Sequence, residues 1–144
     1  MGIFDGKLTE KIADVLKILG STHAIIVHGQ DGLDEISITT NTNFTELKPN
    51  GTIKSGILSP ADFGIKNSNL QALKGGNPDY NAKIIHNILN GELGPRRDIV
   101  ILNAAAGIKI GGKTTSLEEG IQIAENSIDS GHAYKVLVSL INAK

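Results

Sequence analysis

The segment His28-Gly29-Gln30-Asp31-Gly32-Leu33-Asp34-Glu35 is where the residue types and spacing of this chain could do chemistry. Three carboxylates fall within five residues, and Asp34 and Glu35 are adjacent. Carboxylates this close repel one another, and the repulsion is relieved by protonation, by Lys or Arg, or by a hard divalent cation. Magnesium suits such a place, because one or two carboxylates hold it while water and substrate phosphates complete its shell. Adjacent residues on a regular strand point to opposite faces. Asp34 and Glu35 can therefore serve one ligand only where the backbone is irregular, and Gly32 allows that. The same residues also read as a solvated acidic turn, the commoner outcome for an arbitrary D-G-x-D-E. They are not an EF-hand loop, whose ligand spacing and closing Glu they lack.

Other candidates are weaker. His28 could orient a carboxylate or contact a phosphate, but it also reads as a hydrogen-bonded histidine at a strand end. His23, His86 and His132 share no ligand spacing with one another or with the acids. Gly75-Gly76 and Gly111-Gly112 read as caps and turns and match neither the P-loop nor the dinucleotide fingerprint. Arg96-Arg97 either pair with Glu92 and Asp98 or face an anionic ligand. No Ser/His/Asp or Cys/His arrangement is present.

The elements that must position the acids follow from periodicity. Leu8, Ile12, Val15, Leu16 and Leu19 recur at helical spacing, with Gly20 as the stop. His23–Val27 is an apolar run that reads as a buried strand, placing the acids at its carboxyl end, where α/β folds keep ligand sites. Glu35–Thr40, Asn43–Leu47 and Thr52–Leu58 read as further short strands, the last two joined through Lys48-Pro49-Asn50-Gly51 as a hairpin. Asn77-Pro78-Asp79 opens a helix whose inward stripe is Ile84, Ile85, Ile88 and Leu89. Asp98–Gly111 reads as a buried helix. Ser116-Leu117-Glu118-Glu119 is a capping box for a helix running to about Ser130. A last short helix covers His132–Ala143, with Val136, Leu137 and Leu140 expected inward. The pattern is that of a layered α/β domain.

Composition narrows the classes. The chain of 144 residues has room for one domain with its own core. That core must be aliphatic, since there is no Trp and only three Phe and two Tyr. A net charge of −1 provides no basic footprint for nucleic acid, and no apolar run approaches the roughly 20 residues of a membrane span. Without cysteine there is neither a disulfide framework nor a thiolate zinc site. No signal peptide is recognisable, so a cytoplasmic protein is expected.

With its surroundings, His28–Ser37 resembles the H-G-x-x-G-L-D-E-x-S motif of the anthranilate phosphoribosyltransferase family. Similar stretches follow in order at Ser59–Gly64, Leu73–Gly76, Asn81-Ala82, Gly91–Pro95 and Arg97-Asp98. They continue at Leu102–Ala106, Gly112-Lys113, Ser116–Gly120 and Ile128–Gly131, and Leu8–Gly20 is similar to the helix preceding the motif. The resemblance implies the C-terminal portion of a nucleoside phosphorylase/phosphoribosyltransferase-like catalytic domain. Such a portion is a short mixed sheet flanked by helices, with residues 1–144 forming a partial glycosyltransferase α/β domain. It implies a reaction in which the amine of anthranilate displaces pyrophosphate from C1 of phosphoribosyl pyrophosphate, a step of tryptophan biosynthesis. It also implies that Asp34 and Glu35 are the carboxylates for Mg²⁺. No catalytic or substrate-binding residue carries over.

The family's N-terminal helical dimerisation domain, G-T-G-G-D loop, N-x-S-T segment, K-H-G-N loop and anthranilate-contacting Arg have no counterpart in this sequence. The resemblance therefore implies a fragment or split subunit, inactive alone, whose partners are the missing N-terminal half or further copies of itself. Phosphoribosyl pyrophosphate and anthranilate are the substrates of the complete enzyme. A non-catalytic remnant or regulatory binding domain of the same fold is the competing reading. Pyrimidine nucleoside phosphorylases fit less well because of Leu33-Asp34-Glu35, and nucleic-acid-binding relatives because of the mild acidity.

Overall fold

Leu8, Ile12 and Leu16 lie one helical turn apart, and that line becomes the packed side of the first helix, α1 (Thr9–Ile18), in the computed structural model. The structure describes residues 1–143. Contacts divide the chain into two compact units, residues 1–69 and the part from Leu70 onward.

In the first unit α1 is followed by β1 (Ala24–Gly29), β2 (Thr42–Leu47) and β3 (Ile53–Leu58). The strands form an antiparallel sheet in the order β1-β2-β3. Its register runs from Ala24 opposite Leu47 to Gly29 opposite Thr42, and from Thr42 opposite Leu58 to Leu47 opposite Ile53. The Lys48–Gly51 turn joins β2 and β3 as expected, with Gly51 at φ +80°. The free edge of β1 is covered by the first residues of the chain. The Met1 ammonium donates to the Ile25 carbonyl at 2.7 Å, Ile3 N–H donates to the Val27 carbonyl at 3.0 Å, and Gly2 makes a parallel bridge with Val27. Ile3, Ala13 and Ile26 form the core here, with Leu8, Ile12, Leu16, Ala24 and Ile53 around them. Gly20, at φ +88°, ends α1 in the left-handed cap that glycine supports. Val15 and Leu19 belong to the sequence periodicity but are exposed, Leu19 as the residue that caps the end of α1.

One expected strand does not form. Glu35–Thr40 is a series of bends, although Ile36, Ser37 and Ile38 are all buried. Its backbone groups find side chains rather than a ladder. Ser37 N–H donates to Thr42 Oγ1 at 2.9 Å, and Thr39 N–H donates to Ser37 Oγ at 2.9 Å. Ser and Thr offer the backbone this alternative to sheet pairing. After β3, Ser59 and Asp62 box the 3-10 turn Pro60–Phe63, a feature the sequence reading did not include.

The second unit is helical: α2 (Leu70–Leu73), α3 (Pro78–Leu89), α4 (Pro95–Ile110), α5 (Leu117–Asp129) and α6 (His132–Ile141). Asn77 caps α3 through Tyr80 N–H, with Pro78 in the first turn as expected. α4 begins three residues before the expected Asp98, because Pro95 takes its first position behind Gly94. Ser116 Oγ caps α5 by accepting from Glu119 N–H at 3.2 Å. The reciprocal half of the box is diverted, since the Glu119 carboxylate accepts the Thr114 hydroxyl. Ile88, Ile101, Ala124 and Ile128 make the core. α4 and α5 approach closely at Gly120, where a Cβ would lie 2.8 Å from the Ala105 carbonyl oxygen. Ile85 is exposed rather than inward, and so are Val136 (68%) and Leu140 (71%). α6 packs instead through Ala133, and its Tyr134 ring lies 5.8 Å from that of His86.

Candidate active-site loop

β1 ends at Gly29 and β2 starts at Thr42, and the loop between them is drawn shut where Gln30 N–H donates to the Asn41 carbonyl at 2.9 Å. Within it Gly29 N–H donates to the Leu33 carbonyl at 2.8 Å and Gly32 N–H to the Gly29 carbonyl at 2.9 Å. Gly32 has φ +94°, the left-handed region that glycine enters without strain. The backbone is therefore irregular at the acids.

The three carboxylates have different surroundings. Asp31 is half-buried and engaged at both oxygens: Oδ1 accepts from Leu33 N–H at 3.1 Å, and Oδ2 accepts the hydroxyls of Ser37, at 2.5 Å, and Thr39. Partial desolvation pushes its pKa up, but the hydrogen bonds from Ser37, Thr39 and Leu33 together outweigh it and leave the carboxyl below its ordinary value. Asp34 and Glu35 sit on a bend, both exposed. Neither side chain has a hydrogen bond or ion pair among the described residues. The loop is seated by Ile36, Ser37 and Ile38 beneath it, and by Gly2, where a Cβ would fall 1.4 Å from the Asp34 carbonyl oxygen.

His28 takes the plainer of its two roles, as its Nδ1 lies 2.9 Å from the Ile3 carbonyl and ties the chain start to β1. With Asp5, Gly6, Lys7, Gln30 and Asn43 it lines an open depression of about 430 Å³. His23 pairs with Glu46 at 3.0 Å and His132 with Ser130 at 2.7 Å. Among the described residues no group of three or more His, Asp or Glu is arranged to hold a metal. A cation held by Asp34 and Glu35 would take its remaining ligands from water or from a bound molecule. That donor set, two hard oxygen ligands with an otherwise open shell, fits magnesium.

The remaining candidates are structural. Gly76 N–H donates to Asn81 Oδ1 at 2.8 Å, and a Cβ on Gly75 would lie 2.6 Å from the same oxygen, so this pair packs against the first turns of α3. Gly112, at φ +71°, follows the end of α4. The arginines pair neither with Glu92 nor with Asp98, contrary to one of the two sequence readings. Arg96 Nη2 donates to the Lys74 carbonyl at 2.8 Å, and its guanidinium lies over the Tyr80 ring. Arg97 Nη1 stands 2.8 Å from Asp129 Oδ1, although its N–H is not aligned on that oxygen. The Arg97 contact holds the Asp129 carboxyl below its ordinary value. Burial pushes Asp98 up, against the opposing charge of Arg97. The sequence reading missed the partnership of Asp31 with Ser37 and Thr39, because those hydroxyls lie in a run that propensity reads as strand.

Comparison with known proteins places these features in a family. Residues 1–134 match the model of the glycosyl transferase family, a/b domain. Anthranilate phosphoribosyltransferase of Methanocorpusculum labreanum is 50% identical over 141 residues, which are 98% of this chain and 41% of the relative. The chain thus spans about two fifths of the length of the curated relatives it matches. Among solved structures, anthranilate phosphoribosyltransferase from Thermus thermophilus superposes with a TM-score of 0.84 at 36% identity, covering 96% of this chain and 40% of that one. The Saccharomyces cerevisiae enzyme in complex with PRPP and Mg gives 0.82 at 29%, covering 93% and 39%.

Proposed function

The chain belongs to the glycosyl transferase family, a/b domain, and from that premise we propose that it is the C-terminal catalytic segment of an anthranilate phosphoribosyltransferase. The observation that carries this reading is a match spanning 98% of the chain, which includes the acid pair on its irregular, closed loop. In the proposed reaction the anthranilate amine attacks C1 of phosphoribosyl pyrophosphate, pyrophosphate leaves with the electron pair of the C1–O bond, and the nitrogen releases one proton to solvent.

Asp34 and Glu35 are proposed as the magnesium carboxylates. Their exposure and lack of protein partners support this, since a half-filled oxygen shell is what a phosphate-bound magnesium accepts. When bound, the metal supplies neutralisation of the negative charge that grows on the leaving pyrophosphate. The chain's own contribution is to present the two carboxylates from a loop held at both ends. Phosphate cradling falls to loops of the G-T-G-G-D and K-H-G-N kind, which these residues do not contain.

The reading makes the chain inactive alone and active when the rest of the relatives' length is supplied on a second polypeptide. Phosphoribosyl anthranilate formation is to be assayed by its fluorescence with the chain alone, with the complementing polypeptide alone and with both. Product from the mixture only is the expected result. Steady turnover by the chain alone refutes the split. No turnover from a mixture that forms a complex, with no effect of Asp34→Ala on any property, favours a non-catalytic remnant.

A further inference from the structure

We propose that Asp31 is a positioning residue for the acid pair: it does not ligate the cation but clamps the loop that presents Asp34 and Glu35. The inference rests on the reading of those two residues as magnesium carboxylates. In the sequence the three acids are alike. In the structure their oxygens have different occupants.

A carboxylate offers about four acceptor positions. Asp31 has three in use, from Leu33 N–H, Ser37 Oγ and Thr39 Oγ1. Asp34 and Glu35 have none in use among the described residues. The donors lie on both sides of the pair in the chain. Leu33 immediately precedes Asp34, while Ser37 and Thr39 follow Glu35 by two and four residues. One side chain therefore ties together the two arms of the bend that carries the acids. The far arm is itself immobilised, since Ile36, Ser37 and Ile38 are buried and Ser37 also bonds Thr42 and Thr39. The near arm leaves just enough room: a Cβ on Gly29 would lie 2.5 Å from Asp31 Oδ1. Partners bonded directly to metal ligands are worth about 10–100-fold in affinity; Asp31 acts through the backbone that carries the ligands, so the lower end of that range is expected.

Asp31→Asn keeps the shape and removes the charge. Whichever way the amide is turned, its NH₂ meets either the Leu33 N–H or two hydroxyls that must rotate to accept. The test is a Mg²⁺ titration of the whole chain in the presence of inorganic pyrophosphate, followed by NMR shifts of the loop amides, which reads millimolar affinities. Asp31→Asn is expected to weaken binding about tenfold, and Asp34→Ala to abolish it. In Asp31→Asn the amide shifts outside residues 28–42 are expected to stay at their wild-type values, which a general loss of stability does not produce. Ser37→Ala, which removes one donor to Asp31 and leaves all three carboxylates in place, is expected to weaken binding in the same direction and decides the matter where Asp31→Asn fails to fold.

Wild-type affinity in both Asp31→Asn and Ser37→Ala, with binding lost in Asp34→Ala, overturns the positioning role alone. Residual binding by Asp34→Ala that disappears on adding Asp31→Asn makes Asp31 a ligand and also overturns it. No binding by the wild type even with the complementing polypeptide present, or binding indifferent to Asp34→Ala and Glu35→Ala, overturns the metal reading beneath it.

Discussion

Replacing Gly29 by alanine tests the loop's construction without touching a charged group. Its backbone is outside the left-handed region, so alanine meets no conformational penalty there. The obstacle is space: the new Cβ would sit 2.5 Å from Asp31 Oδ1 and 3.2 Å from both the Leu33 carbonyl oxygen and Ser37 Cβ. The nearest of these is the tip of a side chain, so Asp31 yields by rotating and gives up its bonds to Leu33, Ser37 and Thr39. A hydrogen bond to a charged group contributes about 1.5–3 kcal/mol. Three do not sum here, because a rotated, half-exposed carboxylate regains water. Alanine also stabilises by about 0.4–1 kcal/mol through the unfolded chain. The net expectation is a loss of about 1–2 kcal/mol at neutral pH, read by urea unfolding followed by circular dichroism.

The loss depends on pH in a defined sense. The folded-state pKa of Asp31 lies below its ordinary 3.8, so its contribution is present above that value and disappears as pH falls through the depressed folded value. The wild type and Gly29→Ala should therefore converge in stability between about pH 4 and the depressed folded value. Equal stability at pH 7, or a difference that persists unchanged through the acid range, refutes the clamp.

Asp34→Ala and Glu35→Ala should each leave stability within about 0.5 kcal/mol of wild type, since neither side chain has a partner among the described residues; a larger loss in thermal unfolding contradicts the exposed, open geometry. Gly120→Ala should destabilise by more than about 1 kcal/mol, because its Cβ meets the Ala105 backbone rather than a mobile side chain. Gly107→Ala, with nothing within 4 Å of the new methyl and a position inside α4, should stabilise by about 0.5–1 kcal/mol. Leu102→Ala, at a fully buried site in α4, should cost about 2–5 kcal/mol in the same assay.

Several elements were legible because local physics decides them. Asn77-Pro78 opens α3, Gly20 closes α1 and Lys48–Gly51 turns the hairpin, each through a bond or a φ value set within a few residues. The failures share a cause. Glu35–Thr40 has strand propensity, but its amides bond to Ser37 Oγ and Thr42 Oγ1. Val136, Leu140 and Ile85 have the right spacing for inward stripes and lie exposed, because periodicity identifies an apolar side and not what covers it. Arg97 passes over its sequence neighbours for Asp129 on another helix.

For the acidic loop the division is similar. Residue types and order alone determined that carboxylates stand at the end of a buried strand, that Gly32 frees the backbone beside them, and that the collinear motifs resemble one family. Only the tertiary structure decided that Asp31 is engaged and that Asp34 and Glu35 are open. The donors that make the difference lie two to eight residues along the chain and reach Asp31 only once Gln30 and Asn41 close the loop. Which of three like charges is free for a ligand depends on where the hydrogen-bond donors end up, and folding sets that.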